Sequence, residues 1–167
     1  MTASSISAEL KALLLGPPGL SLAAAESLTC GRVQARIGEV PGASEYFRGG
    51  ITAYTLDQKV RHLGVDRAHA RKVDCVSPEV AAQMARGVCK LFQSDLGVAT
   101  TGYASSVPGG GHPYAYWALT QVRRSRVIAL RGGRIECPGA SRIEAQTIVA
   151  DAVLTELAGY LRELRGK

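Results

Sequence analysis

The 167-residue sequence predicts a layered α/β domain whose sheet is parallel in its first half and closes with an antiparallel hairpin. Three observations carry that expectation. Short apolar runs of strand length alternate with segments of helical periodicity. Gly and Pro punctuate the junctions between them. Late in the chain, two strand-like runs are joined by a short basic turn instead of a helix, which makes them antiparallel neighbours.

The elements follow in order. Ser4 to Leu15 places Leu10, Leu13, Leu14 and Leu15 in a helical pattern stopped by Gly16-Pro17. The turn residues Gly16-Pro17-Pro18-Gly19 then lead into Leu20-Ser21-Leu22-Ala23-Ala24-Ala25, the length of a buried strand, which Glu26-Ser27 closes. Thr29-Cys30-Gly31 opens a helix carrying Val33, Ala35, Arg36 and Ile37 to about Val40, ended by Pro41-Gly42. Ala43 to Phe47 reads as a connector, and Gly49-Gly50 precedes a second strand over Ile51–Thr55. Short helices are expected over Asp57–Leu63 and Arg67–Val73. Ser77-Pro78 is a helix start, with Ser as N-cap and Pro at the first helical position. The stripe Val80, Ala81, Met84, Ala85, Val88 and Leu91 is read as core. Asp95–Thr101 is a third strand, and Gly102–His112 a loop rich in Gly, Ser and Pro. Tyr114–Val122 and Arg126–Leu130 form the hairpin. A last helix over Ser141–Leu164 is expected to bury Ile148, Val149, Ala152, Val153, Leu157, Tyr160 and Leu161.

Composition bounds the function. An apolar share of 46% with 20% charged residues is that of an ordinary globular domain, and residues 1–167 carry no repeat, low-complexity tract or linker. No apolar run approaches the ~20 residues that span a bilayer, and Met1–Glu9 lacks the features of a secretory leader. The expected compartment is the cytoplasm, with no membrane partner. Four cysteines lie apart without CxxC pairing and there are three histidines, so neither a disulfide framework nor a metal site is expected. The net charge of +6 favours anionic partners. Apart from Arg123-Arg124-Ser125-Arg126 the basic residues are dispersed, and no nucleic-acid-binding motif stands out, which disfavours nucleic acid and leaves a small anionic substrate such as a nucleotide.

Ser27 is the first residue to single out. A strand that turns at once into a helix sets Ser27 at the carboxyl end of a sheet, beside the unpaired N–H groups of the helix. Ligands bind at that end in open α/β sheets, and a hydroxyl beside free amides can act as a nucleophile with an oxyanion or phosphate cradle. The plainer role for Ser27 or Thr29 is helix capping. Tyr54 and Lys59 follow the second strand, and Thr101-Gly102 ends the third. His62 and His69 sit on helices read as surface, and His112 in the glycine loop, so no Ser-His-Asp set assembles. A Ser–Lys dyad remains, provided the lysine pKa is lowered. Taken singly, Lys59 reads as a solvated helix lysine.

The segments AESLTCG (25–31), VPGASEYFRGGITAYTLDQKVRHLGV (40–65), VSPEVAAQMARGV (76–88) and TTGYASSVPGGG (100–111) together resemble the C-terminal domain of the competence/damage-inducible protein CinA, a family whose stand-alone members include nicotinamide-nucleotide amidase. The resemblance covers roughly residues 5 to 164. It implies a three-layer α/β/α sandwich with a mixed sheet, a homo-oligomer to which the first helix or Tyr46-Phe47 could contribute, and no cofactor. It implies hydrolysis of the carboxamide of nicotinamide mononucleotide to nicotinic acid mononucleotide and ammonia. By the same resemblance Ser27 is nucleophile, Lys59 general base, Tyr54 a hydroxyl relay or positioning group, and Thr101 a site hydroxyl.

Substrate-binding roles are expected for Thr29, Cys30 and Gly31 through helix N-terminal amides, and for Gly102, Tyr103, Gly109, Gly110 and Arg142. Departures from the family pattern cluster at these positions. Ser-Leu-Thr-Cys-Gly stands at 27–31 where the family has Ser-Cys-Thr-Gly-Gly, and Cys30 reads as a buried packing thiol or as one activated by the helix end. Tyr103-Ala104-Ser105-Ser106 replaces Ile-Ala-Gly-Pro, and Tyr103 either fills or stacks within the pocket or makes a structural contact. Tyr114-Ala115-Tyr116 replaces Gly-Thr-Val. The family's phosphate-holding Arg falls near Glu144, with Arg142 two residues away as a substitute. Two functional classes stay open: an amidohydrolase, or a divergent paralogue that binds a nucleotide or protein partner without turnover.

Overall fold

Leu22–Glu26, an apolar run with Ala at three successive positions, forms β1 and is buried along its whole length. It is flanked on one side by β2 (Phe47–Thr52) and on the other by β3 (Leu96–Tyr103), both parallel to it. The sheet continues antiparallel through β4 (Tyr114–Arg123) and β5 (Arg126–Glu136), giving the order β2-β1-β3-β4-β5. This is a computed structural model, and it describes residues 3–105 and 107–166.

Helices cover both faces. On one lie α1 (Ala3–Leu15), α2 (Arg32–Gly38) and α6 (Arg142–Leu164), closing a core that includes Leu10, Leu14, Leu22, Leu119, Leu154 and Leu157. On the other lie α3 (Leu56–Leu63), α4 (Arg67–Lys72) and α5 (Pro78–Phe92), over Ala23, Ala25, Met84, Val88 and Ala99. The architecture is the three-layer α/β/α sandwich with a mixed sheet. Alanines along β1 keep the second layer thin enough for α5 to lie close to the sheet.

Several boundaries differ from the sequence expectation. Residues 28–31 are a turn, and α2 begins only at Arg32 because Cys30 and Gly31 both take positive φ. The connector holds a short 3-10 turn, Ala43–Glu45, and β2 starts at Phe47, so Gly49-Gly50 lies inside the strand. β3 runs on through Gly102-Tyr103, and β5 through Gly132-Gly133 to Glu136, since ladder pairing to β4 overrides glycine's weak strand preference. Leu91 and Ile148 are exposed, at the outer edges of their helical stripes. Ala145, Ala150, Leu154 and Ala158 fill the α6 face instead. Tyr46, named as a contributor to self-association, is buried with its hydroxyl donating to the Ile37 carbonyl. No helix among the described residues is long and apolar enough to cross a membrane.

Candidate active site

The sheet delivers Ser27 and the helix layer delivers Lys59. Ser27 follows β1 directly, and its N–H donates to the Thr100 carbonyl of β3 (3.1 Å), which ties the residue to the sheet. Thr55 caps α3, its hydroxyl accepting from the Gln58 N–H, and this fixes the helix register. Lys59 then stands one turn in. Side chains on a helix lean back toward its N-terminus, so the amine returns to the segment that precedes α3. Its Nζ lies 2.9 Å from Ser27 Oγ, from the Ala53 carbonyl oxygen and from the Tyr54 carbonyl oxygen.

Lys59 is therefore no solvated lysine: it is 1% exposed, and Ser27 7%. An ammonium has three N–H donors, and three acceptors surround it here. The same geometry serves the neutral amine, which keeps two N–H donors for the two carbonyls and turns its lone pair to the Ser27 hydroxyl. Burial pulls the amine below its ordinary 10.5, against the opposing fields of Cys75 and Asp74. A neutral amine hydrogen-bonded to a hydroxyl is the arrangement a nucleophilic serine needs.

Around the pair opens a cleft of about 340 Å3 whose lining includes Leu28, Tyr54, Asp74, Cys75, Thr101, Tyr103 and Arg142. A larger hollow of about 750 Å3 lies between α5 and the β4–β5 hairpin, lined by Arg86, Lys90 and Arg124 among others, but it holds no nucleophile–base pair. The Tyr54 hydroxyl accepts from Arg142 Nη2 (2.6 Å), and Arg142 Nη1 donates to Ser105 Oγ (3.1 Å). Thr101 Oγ1 donates to the Cys75 carbonyl (2.6 Å), so this buried hydroxyl anchors the 74–75 segment to β3. Tyr103 donates to Asp74 Oδ2 (3.0 Å), and burial together with that carboxylate pushes its phenol up to about 12. Burial also raises the Cys75 thiol, which keeps it protonated and out of competition as a nucleophile.

The substrate-binding residues expected from sequence divide. Gly102, Tyr103 and Arg142 line the cleft. Gly102 is also demanded by packing, because a Cβ there would stand 2.3 Å from the Tyr114 carbonyl oxygen. Thr29 is buried beneath it, its hydroxyl paired with Thr100 Oγ1 (2.8 Å). Cys30 and Gly31 are not brought to the cleft lining. Cys30 is exposed, which corrects the packing-thiol expectation, and its N–H donates to Ser27 O. The N–H groups of Gly31, Val33 and Gln34 donate to the carboxylate of Glu26, a fully buried residue. The helix end is thus satisfied by the chain's own anion. Gly109 and Gly110 lie outside the cleft lining in the 107–113 loop, at positive φ, and Ser106 lies outside the described residues. The histidines contribute nothing to the cleft: His112, for example, pairs with Glu136.

Among the polar residues that shape this site, sequence reasoning gave no role to Glu26, Asp74 or Cys75. Glu26 organises the turn, and its place immediately before the serine was a usable signal. Asp74 and Cys75 enter the cleft through two consecutive left-handed residues (φ 49° and 61°), which nothing in their residue types announces.

The sequence profile of the CinA C-terminal domain matches residues 4–161. A CinA-like protein of Chlorobium limicola is 36% identical over 156 residues, covering 92% of this chain but 36% of that protein. The chain spans about a third or less of the curated relatives it matches first. Among solved structures, a CinA superfamily protein from Enterobacter cloacae aligns with a TM-score of 0.87 at 21% identity, covering 96% of this chain and 93% of that one. The competence/damage inducible protein CihA from Agrobacterium tumefaciens gives 0.79 at 27% identity, covering 92% and 94%. The α/β/α fold and the match along nearly the whole chain place this protein in the CinA C-terminal domain family.

Proposed function

We propose that the protein hydrolyses the carboxamide of nicotinamide mononucleotide, releasing ammonia and nicotinic acid mononucleotide. The observation that carries this reading is the buried 2.9 Å contact between Lys59 Nζ and Ser27 Oγ at the floor of an open cleft. Neutral Lys59 takes the hydroxyl proton as Ser27 Oγ adds to the amide carbon. The resulting ammonium then gives that proton to the departing nitrogen, and ammonia leaves an acyl-serine. Water attacks the ester with the amine again as base, and Ser27 is restored.

One backbone donor is placed for the oxyanion. The N–H of Leu28, directly after the nucleophile and at the cleft lining, donates to no acceptor among the described residues. Its sequence position is that of the amide following the nucleophile in serine hydrolases. Arg142 supplies the positive charge for the phosphate, with Tyr54 holding its guanidinium. The chemistry as written calls for no cofactor, and we place it in the cytoplasm, carried out by a homo-oligomer.

The test is ammonia release from nicotinamide mononucleotide. Ser27→Ala and Lys59→Ala are each expected to lower kcat by about a thousandfold or more while thermal unfolding still reports a folded domain. Unchanged rates in both variants would remove the dyad. Binding of the nucleotide without any ammonia from the wild-type protein would make it a nucleotide-binding module instead.

A further inference from the structure

The cleft carries two side chains of opposite charge, and they do not neutralise each other. Asp74 and Arg142 both line it. Among the described residues neither forms an ion pair. Asp74 is held by the Tyr103 phenol, while Arg142 is held by the Tyr54 and Ser105 hydroxyls. Each charge is thus fixed in position by neutral oxygen atoms and keeps its field for whatever enters the cleft. Long flexible ion pairs would have quenched both.

Asp74 carries an electrostatic cost in this place, on a segment whose shape it suits. Its backbone and that of Cys75 are left-handed, and the segment is pinned to β3 through Thr101. Its field also favours the charged form of Lys59, opposing the burial that lowers that amine. A bare carboxylate beside a nucleotide site would moreover repel phosphate. These effects reverse in sign if the ligand brings a positive charge to Asp74. A cation there offsets the carboxylate and relieves Lys59 of its field.

We propose that Asp74, held by Tyr103, is a specificity-determining residue that selects ligands with a fixed positive charge on the ring bearing the carboxamide, while Arg142 takes their phosphate. This rests on the amidase reading for the identity of the ligand, but not for the charge selection itself. The cleft is matched to a zwitterion. An N-substituted pyridinium nucleotide has that charge pattern, and the same nucleotide with a reduced, uncharged ring does not. Tyr103 adds an aromatic ring on the Asp74 side, and aromatic faces also attract cations. In this arrangement Asp74 contacts the substrate ring and Tyr103 positions Asp74.

The experiment measures equilibrium binding in Ser27→Ala protein, where turnover is blocked. The probes are nicotinamide mononucleotide and its 1,4-dihydro form, which carry the same phosphate and differ in ring charge. The oxidised form is expected to bind about tenfold tighter or more. Adding Asp74→Asn should bring that ratio close to one by weakening the oxidised form alone. Asn tolerates positive φ and still accepts from Tyr103, so the segment keeps its shape. Equal affinities in Ser27→Ala protein, a ratio that survives Asp74→Asn, or binding of neither probe each overturns the proposal. Should Asp74→Asn fail to fold, wild-type protein decides with the ring-quaternised 1-methylnicotinamide cation against nicotinamide as competitors of the nucleotide. The cation must compete better, and equal competition overturns the proposal. Ammonia assays on wild-type protein separate the two readings. Charge-selective binding without turnover removes the amidase and keeps Asp74, whereas turnover without charge selection does the reverse.

Discussion

On the proposed mechanism Lys59 acts uncharged, yet it is fully hydrogen-bonded when charged, so pH divides its two forms. Burial sets its pKa below the ordinary 10.5. The neutral base consequently becomes available at lower pH than a solvated lysine would allow. The expected outcome is a kcat/KM that climbs as pH rises, with its midpoint below 10.5 and with the limb absent in Lys59→Ala. A rate that falls over that range would assign the base elsewhere. The Tyr103 phenol, pushed up to about 12, stays protonated throughout and keeps Asp74 in place. Ser27 was legible in the sequence because a strand, a hydroxyl and a turn follow one another there. Taken singly Lys59 read as a solvated residue, and only the family resemblance gave it the role of base, for a physical reason: composition gives a helix's polar positions but not which neighbour they meet. Its burial depends on where Ala53, Tyr54 and Ser27 lie in space. Asp74 was invisible because backbone handedness decides where it points.

At the scale of elements, the site depends on how closely α3 lies against α5. Gly87 of α5 makes that approach possible. A Cβ there would stand 2.1 Å from the Leu63 carbonyl oxygen and 2.6 Å from Leu63 Cα, and backbone cannot yield as a side chain can. Leu63 is one turn beyond Lys59 on the same helix. Gly87→Ala is therefore expected to displace α3, costing about 1–3 kcal/mol by overpacking and lowering kcat with little change in KM. Steady-state kinetics beside thermal unfolding checks this, and an unchanged kcat in a destabilised protein would show that α3 can shift without moving the amine. Helix positions were largely legible, α5 most of all, because Ser77-Pro78 and a 3.6-residue stripe agree on it. Strand ends were not. Gly102-Tyr103 and Gly132-Gly133 look like loop, yet β4 pairs with both segments across long antiparallel ladders. A register between distant segments is not written in either one alone.

Over the whole molecule, the three layers contribute different chemistry to one cleft. The sheet brings Ser27, the α3–α5 layer brings Lys59 and leads into Asp74, and α6 on the opposite face brings Arg142. The fold class was readable because alternation of strand and helix leaves few topologies open. The convergence of the layers was not, since Tyr54 and Arg142 meet across 88 residues of sequence. Arg142→Ala should raise KM for the phosphorylated substrate about tenfold with little change in kcat. A fall in kcat alone would move Arg142 from binding to chemistry. Here the buried Glu26 has a consequence of its own. Because that carboxylate already takes the N–H groups of Gly31, Val33 and Gln34, the N-terminus of α2 offers no desolvated grip to an incoming phosphate. On the proposed function the hold on phosphate falls to Arg142, a guanidinium open to solvent, whose attraction mobile ions attenuate over a Debye length of about 10 Å at 0.1 M salt. Substrate capture should accordingly weaken as ionic strength rises, with KM rising, and Arg142→Ala should flatten that dependence.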